Sequence, residues 1–313
     1  MSEFNVSRTD STFTVRPEPP FDFDRTIRFA TYDSERYVAD VYQDGAYSRL
    51  LDIGGELVLT QARSVGTVDE PIIEIVAASP KVSGETLEEA FGTMIRMLGA
   101  DKAIVTFYEM AGRDPLLAPL IGAFYGLRIS QAASVFESLV MSVLGQQISS
   151  QVARVLRTGL IDAFGISIEF EGVSYSAFPR PKDIADRGVD ALRAIKFSAR
   201  KSEYLVDISA RIASSDLNLE ALRDVPDDEA VDALVKLRGI GPWTAHWMLI
   251  RAFGRPDGFP HGDLALQNYM GQLLNDGVRM TPQDALDASE RWSPYRSFVT
   301  TYLFAAAREG LLP

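Results

Sequence analysis

The sequence predicts two domains in tandem: an α+β N-terminal domain over residues 1–112, with an antiparallel sheet and helices, and an all-α domain over 113–313. Three observations lead there. At about 100–200 residues per domain, a chain of 313 residues holds more than one core of ordinary size. Between residues 26 and 78, short runs rich in Val, Ile, Leu and Tyr alternate with turn signals, as in hairpins of an antiparallel sheet. After residue 112 that pattern stops, and apolar residues recur every three or four positions in successive segments.

The strand candidates are TIRFAT (26–31), RYVADVYQ (36–43), YSRLLDI (47–53), ELVLTQA (56–62) and PIIEIVA (71–77). Asp44-Gly45 and Gly54-Gly55 supply turns between them. Ser83-Gly84 then opens a helix, ETLEEAFGTMIRMLG (85–99), in which Leu87, Phe91, Met94 and Leu98 share a face. The second domain reads as short helices punctuated by Gly, Pro, Ser or Asp: 135–145, 149–165, 199–214, 227–237, 242–254, 263–274, 282–292 and 295–309. No strand is expected after 112.

Composition narrows the chemistry. Cys is absent, so disulfides, thiolate zinc sites, cysteine nucleophiles and cysteine-held iron–sulfur clusters are excluded. Two histidines, His246 and His261, are too few for a multi-histidine metal site. No apolar run approaches the roughly 18–20 residues of a membrane-spanning helix, and the opening segment has no basic stretch followed by an apolar one. A cytoplasmic protein with no membrane partner is expected. The net charge of −12 argues against nucleic acid as a partner. That acidity is uneven, however: residues 1–130 carry −8 and residues 131–313 carry −4.

Two strings are rich in chemistry. Leu237-Arg238-Gly239-Ile240-Gly241-Pro242-Trp243-Thr244-Ala245 lies between two helical segments. A Gly-x-Gly turn that opens a helix permits left-handed backbone angles, and the unpaired amides of the helix start can point at a phosphate; it is equally a tight helix–helix turn. No strand precedes it and the third glycine is missing, so it is not a dinucleotide fingerprint. Phe259-Pro260-His261-Gly262-Asp263-Leu264 follows, with Asp263 at a natural N-cap. That aspartate either caps its helix and does nothing more, or is a cap whose charge, suited to the dipole, also does chemistry.

Together these strings resemble the helix-hairpin-helix, Gly/Pro-rich loop and aspartate signature of the base-excision DNA glycosylase superfamily. ESLVMSVLGQQISSQVA (137–153), AIKFSARKSEYL (194–205) and RWSPYRSFVTTYLF (291–304) are similar to further segments of that family, and PPFDFDRTIRF (19–29) resembles the start of its alkylbase branch, DNA-3-methyladenine glycosylase II. The resemblance spans nearly the whole chain. It implies a hairpin at about 231–250, a catalytic loop at 259–264, and excision of alkylated, 3-methyladenine-like bases from damaged double-stranded DNA by a monomeric enzyme. Bifunctional relatives carry a lysine nucleophile where this chain has Trp243, and an indole cannot form a Schiff base, so no lyase step is expected.

In that reading Asp263 stabilises the oxocarbenium-like sugar and directs water. Trp243, Trp247, Phe304 and Phe29 line a base pocket, where aromatic faces attract electron-poor or cationic rings; ordinary core packing is the competing reading of each. Amides near Gly239 and Gly241, with the Thr244 hydroxyl, hold a phosphate. The Gly145-Gln146-Gln147 loop fills the gap left by the flipped base, or is a plain capping turn; some relatives have leucine at the Gln147 position. No cofactor is implied beyond a structural monovalent cation on the hairpin carbonyls. Arg193, Lys196, Arg200 and Lys201 form the densest basic cluster, facing either phosphates or solvent. Other lesions on the same scaffold (etheno-adenine, oxidised or deaminated bases) and a non-catalytic hairpin module that binds DNA remain as alternatives.

Overall fold

The computed structural model describes residues 6–9, 12–78 and 82–312. The N-terminal part is a seven-stranded antiparallel sheet with two helices on one face. In chain order its elements are β1 (Val6–Thr9), β2 (Thr12–Val15), α1 (Phe23–Thr31), β3 (Arg36–Tyr37), β4 (Asp40–Gln43), β5 (Ala46–Ile53), β6 (Glu56–Ser64), β7 (Ile73–Ala77) and α2 (Gly84–Met97). The sheet order is β1-β2-β7-β6-β5-β4-β3. The turn signals act as expected. Asp44 and Gly45 have φ of 50° and 71° between Gln43 and its partner Ala46, and Gly54 and Gly55 (58° and 99°) close Ile53 onto Glu56.

One expected strand is a helix instead. TIRFAT lies in α1, where Asp22 caps the N-terminus by accepting from the Arg25 amide at 2.9 Å. Phe23, Thr26, Ile27 and Thr31 are buried at helical spacing, so the cap and the three-to-four period override the β-branched content. RYVADVYQ is two strands, β3 and β4, broken at Val38, whose φ is 60°. The pair β1–β2 and the edge it builds had no expectation attached.

The helical part contains α3 (Val105–Ala111), α4 (Ala118–Ala123), α5 (Val135–Gly145), α6 (Ser150–Phe164), a hairpin of β8 (Ser167–Phe170) and β9 (Val173–Ser176), then α7 (Pro181–Ala194), α8 (Ala199–Ala213), α9 (Asp227–Val235), α10 (Pro242–Arg251), α11 (Leu264–Leu274), α12 (Pro282–Ser289) and α13 (Arg296–Arg308). The β8–β9 hairpin corrects the expectation of no strand after 112. Its strands are too short to show a period, and Tyr175 leaves the helical part to bury against Val41, Leu50 and Leu59 on the far face of the sheet. α7, which the sequence reading did not single out, is broken at Gly188 (φ 70°).

Three large cores result. One lies between the sheet and α1–α2, around Phe21, Ile27, Phe91 and Met94. A second joins the segment 104–129 to α10, α11 and α13 around Phe107, Phe124, Trp292 and Tyr302. A third is built by α5, α6 and α8–α10 around Leu139, Leu205, Leu234 and Met248. The sheet is fastened to α5 by Arg49, 1 % exposed, which bonds Glu137 at 2.6 Å and Asp40 at 2.7 Å. Helix α10 belongs to both helical cores, so side chains on its remaining face lie at the seam between them.

Candidate active site

Gly239 and Gly241 shape the hairpin between α9 and α10 in different ways. Gly239 sits at φ 88°, and a Cβ there would lie 2.1 Å from the Tyr204 ring, so both conformation and space demand glycine. Gly241 is the N-cap of α10 with no side chain to cap the helix, and Pro242 occupies the first turn. The helix start therefore presents amides without a side-chain acceptor.

The Gln loop is tied to this hairpin. Gln146 Nε2 donates to Gly239 O and to Thr244 Oγ1, both at 3.0 Å. Lys201 Nζ donates to Leu144 O at 2.9 Å and Gln146 O at 2.6 Å, closing the C-terminus of α5. Two expectations change as a result. Thr244 is buried and holds Gln146, so its hydroxyl does not face solvent as a phosphate ligand, and Gln146 is a brace. Lys201 leaves the basic cluster to serve the loop, and burial pushes its ammonium down from the usual lysine range. Gln147, exposed with φ 57°, is the residue the loop projects. Arg193, Lys196 and Arg200 are exposed nearby.

Asp263 is the N-cap of α11, and all four of its lone-pair positions are engaged. Oδ1 accepts from the amides of Ala265 (2.9 Å) and Leu266 (3.1 Å). Oδ2 accepts from Trp243 Nε1 (2.9 Å) and Trp247 Nε1 (3.2 Å). The tryptophans are four residues apart on α10, and that spacing aims both indole N–H groups at one oxygen. The loop before Asp263 is pinned as well: Gln267 Nε2 donates to His261 O at 2.8 Å, and the Asp263 amide donates to Pro260 O at 2.8 Å. A carboxylate is thus fixed, half-buried, at a helix N-terminus.

Trp247 also meets Phe304 edge to face at 5.3 Å, and Tyr269 meets Phe304 edge to face at 5.2 Å. Burial, reinforced by the Asp263 charge, pushes the Tyr269 phenol up, so it stays an O–H at neutral pH. Phe29, on α1, packs against the same core, but its ring face carries the Arg308 guanidinium at 4.4 Å. That contact revises the pocket expectation for Phe29: the cation stacked on it belongs to the chain itself. His246, between the two tryptophans, meets His261 at 5.4 Å, and burial with the His261 and Arg296 charges pushes it down to about 4. It is neutral at physiological pH. The sequence reading missed Tyr269 and Arg308, although Arg308 stands four residues beyond Phe304. Clefts of about 580 and 730 Å³ lie elsewhere, and neither is lined by Asp263.

A braced hairpin followed by a capped aspartate among indoles defines a protein of the helix-hairpin-helix, Gly/Pro-rich loop and aspartate class. Comparison with known proteins agrees. Residues 140–294 match the family model described as HhH-GPD superfamily base excision DNA repair protein. The chain is similar to the DNA-3-methyladenine glycosylase of Bacillus subtilis, at 33 % identity over 284 residues, covering 91 % of this chain and 93 % of that one. It is also similar to the solved 3-methyladenine DNA-glycosylase from Archaeoglobus fulgidus, with a TM-score of 0.84, 26 % identity, and coverage of 94 % and 98 %. An 8-oxoguanine glycosylase/lyase from Clostridium acetobutylicum shares the fold, with a TM-score of 0.76 and 20 % identity over 98 % and 99 % of the two chains. The chain belongs to the HhH-GPD superfamily of base excision DNA repair proteins.

Proposed function

We propose that this protein excises alkylated, 3-methyladenine-like bases from damaged double-stranded DNA by hydrolysing the N-glycosidic bond, leaving an abasic site without cutting the strand. The observation that carries the reading is the Asp263 carboxylate, held by two amides and two indoles, with Trp247 in turn packed on Phe304.

The target nucleotide must leave the stack before its glycosidic bond is accessible. The α10 amides near Gly239 and Gly241 hold a backbone phosphate, and exposed Gln147 enters the space the base vacates. The base enters beside Trp247, Phe304 and Tyr269, which hold it by stacking. As the bond breaks, positive charge develops on the deoxyribose, and the fixed carboxylate of Asp263 stabilises it; a water that takes the place of one indole donor on Oδ2 is oriented toward the anomeric carbon. An alkylated cationic base is a good leaving group, so the step uses no general acid and no cofactor. Trp243 holds Asp263 and has no amine for Schiff-base chemistry, which supports a monofunctional enzyme. The same reading makes it a cytoplasmic monomer, with a structural monovalent cation at the hairpin carbonyls as the family resemblance implies.

Incubation with methylated duplex DNA, followed by chromatography of the released bases and alkali treatment, tests this. Free alkylated base and alkali-labile sites are expected, with no strand break before alkali. Tight binding to abasic duplex without base release would replace the enzyme by a binding module, and a borohydride-trapped covalent adduct would replace hydrolysis by a lyase reaction.

A further inference from the structure

The fold assembles a second basic cluster that no stretch of sequence displays. Arg36 comes from β3, Arg154 and Arg157 from α6, Arg251 from the last turn of α10 and Arg308 from the last turn of α13. Tyr32 and Tyr37, whose rings meet at 4.9 Å, stand at its centre. The Arg154 guanidinium lies 5.6 Å from the Tyr37 ring, and that of Arg308 lies 4.1 Å from the Tyr32 ring and 4.4 Å from the Phe29 ring. Arg157 Nη1 donates to the Tyr37 hydroxyl at 2.7 Å. Burial pushes half-buried Arg251 down from the usual arginine range, and the nearby Arg308 and Arg157 charges add to that. From Arg154 through Tyr37, Tyr32 and Arg308 to Phe29, cations and rings form one continuous stack.

Stacking fixes the plane of a guanidinium and leaves its N–H edge free. Arg36, Arg154 and Arg308 are exposed, and each spends one N–H on a backbone carbonyl: Ser174 O at 2.7 Å, Arg36 O at 3.3 Å and Phe29 O at 2.7 Å. With five donors to a guanidinium, most of theirs stay available. Other arginines lack acidic partners too, Arg63 among them; what distinguishes these is convergence. Among the described residues none of the five is ion-paired, and the acids of the same loop are engaged elsewhere, Glu35 accepting from Gln43 at 3.3 Å and Asp33 supporting Arg28. In a chain of net charge −12, five cations around two rings reverse the sign locally.

The position of the cluster indicates its partner. α6 starts directly after the Gln147 loop, and Arg154 stands about one turn into it. α13 carries Phe304, which meets Trp247, one turn before Arg308. α10 has the hairpin Gly241 at its N-terminus and Arg251 in its last turn, so hairpin and cluster lie one helix length apart, about 15 Å for its 10 residues. Along duplex DNA that distance is about four base steps.

We infer that Arg36, Arg154 and Arg308 form a second phosphate-binding strip, which takes DNA backbone about four base steps from the phosphate at the hairpin and brings the N-terminal domain into the DNA interface. The inference rests on the base-excision reading above. A guanidinium held in plane offers parallel donors to two phosphate oxygens, which is the ligand this geometry fits. Tyr32 and Tyr37 are already stacked on each other and covered by guanidiniums, so bases do not stack there and the contact is independent of sequence.

The test is fluorescence anisotropy of a labelled duplex carrying a tetrahydrofuran abasic-site analogue, titrated at several salt concentrations, with a thermal melt of every protein. Wild type, Arg36→Gln, Arg154→Gln, Arg308→Gln, Arg154→Lys and, outside the strip, Arg63→Gln are compared. Each strip glutamine should lower the log–log salt slope by about one and weaken damaged and undamaged duplex by the same factor. Arg154→Lys should keep the slope, and Arg63→Gln should change nothing. A single methylphosphonate moved along either strand locates the contact: about four steps from the hairpin position it should weaken wild type, and the effect should vanish when Arg154→Gln and Arg308→Gln are combined. Three separate sites keep the test decisive if one variant melts early. Wild-type slopes in variants that melt like wild type, an equal fall in Arg63→Gln, or a methylphosphonate effect that survives the double substitution overturns the inference. A wild type that neither prefers the abasic analogue nor releases base from methylated DNA overturns the base-excision reading itself.

Discussion

Replacing Asp263 with Asn changes one oxygen to an amino group, and the surroundings make that change larger than it looks. Asp263 accepts two amides on Oδ1 and two indole N–H groups on Oδ2. Asparagine has one acceptor atom, so in either orientation its NH₂ faces two donors. If the oxygen keeps the helix cap, where Asn and Asp are nearly equivalent, both indoles lose a charge-assisted bond and meet a donor. Hydrogen bonds to charged groups contribute about 1.5–3 kcal/mol each, and partial exposure lets water relieve part of the loss. A net destabilisation of about 2–3 kcal/mol follows, a fall in Tm of roughly 5 °C. The chemical step suffers separately. Removing one preorganised electrostatic group from a transition state costs about 10²–10³ in rate, and in the proposed mechanism Asp263 is the group facing the developing cation. The assay is single-turnover base release at saturating enzyme, with a melting curve and abasic-duplex affinity measured on the same preparation. Release within about three-fold of wild type refutes the role of Asp263. A melt identical to wild type refutes the donor conflict, and with it the indole–carboxylate geometry.

Other outcomes follow from neighbouring features. Gly239→Ala should destabilise by about 2–4 kcal/mol in a denaturant titration, since it combines a left-handed φ with a clash against Tyr204; adding Tyr204→Ala should restore only the steric part. His246 has a folded-state value of about 4 against an ordinary 6.5, so the unfolded chain binds more protons between those values. Stability should be complete above pH 6.5 and fall by up to about 2–3 kcal/mol as pH drops to 4, a dependence that His246→Phe should flatten in melts. Arg49→Met and Glu137→Met should each cost about 3–5 kcal/mol, because each strands a buried partner, and the double variant should recover much of that loss. Undamaged-DNA affinity, measured against salt, should be weak and steeply salt-dependent, with Arg200→Ala lowering the log–log slope by about one.

Much of the fold is legible in the sequence because it is local. The helices over 135–145, 149–165 and 199–214 show their caps and periods within a dozen residues, and the structure ends them within a residue of those limits. The turns at Asp44-Gly45 and Gly54-Gly55 are equally local. TIRFAT misleads because its β-branched composition reads as strand, whereas the Asp22 cap just before it and the three-to-four burial period decide for helix. The β8–β9 hairpin is illegible because four-residue strands carry no period and exist by virtue of the sheet that Tyr175 packs on. At the site, Gly239, Gly241, Asp263 and the tryptophan pair stand out by residue type and spacing. The demotion of Thr244 and Lys201 from DNA ligands to braces does not, since it depends on where α5 and α8 approach the hairpin.

The acidic balance gives the same lesson. Charge counted along the chain argued against DNA, whereas an anion grip built from amides at a helix start needs few cations. The sequence by itself determined the hairpin, the cap that fixes Asp263 and the absence of an amine at Trp243, because backbone conformation and functional-group chemistry belong to short segments. Only the tertiary structure decided that both indoles donate to one carboxylate oxygen, that Tyr269 meets the Phe304 ring, and that Arg308 occupies the face of Phe29. Those facts depend on packing between helices distant in sequence, and no local period encodes the distance between one helix and another.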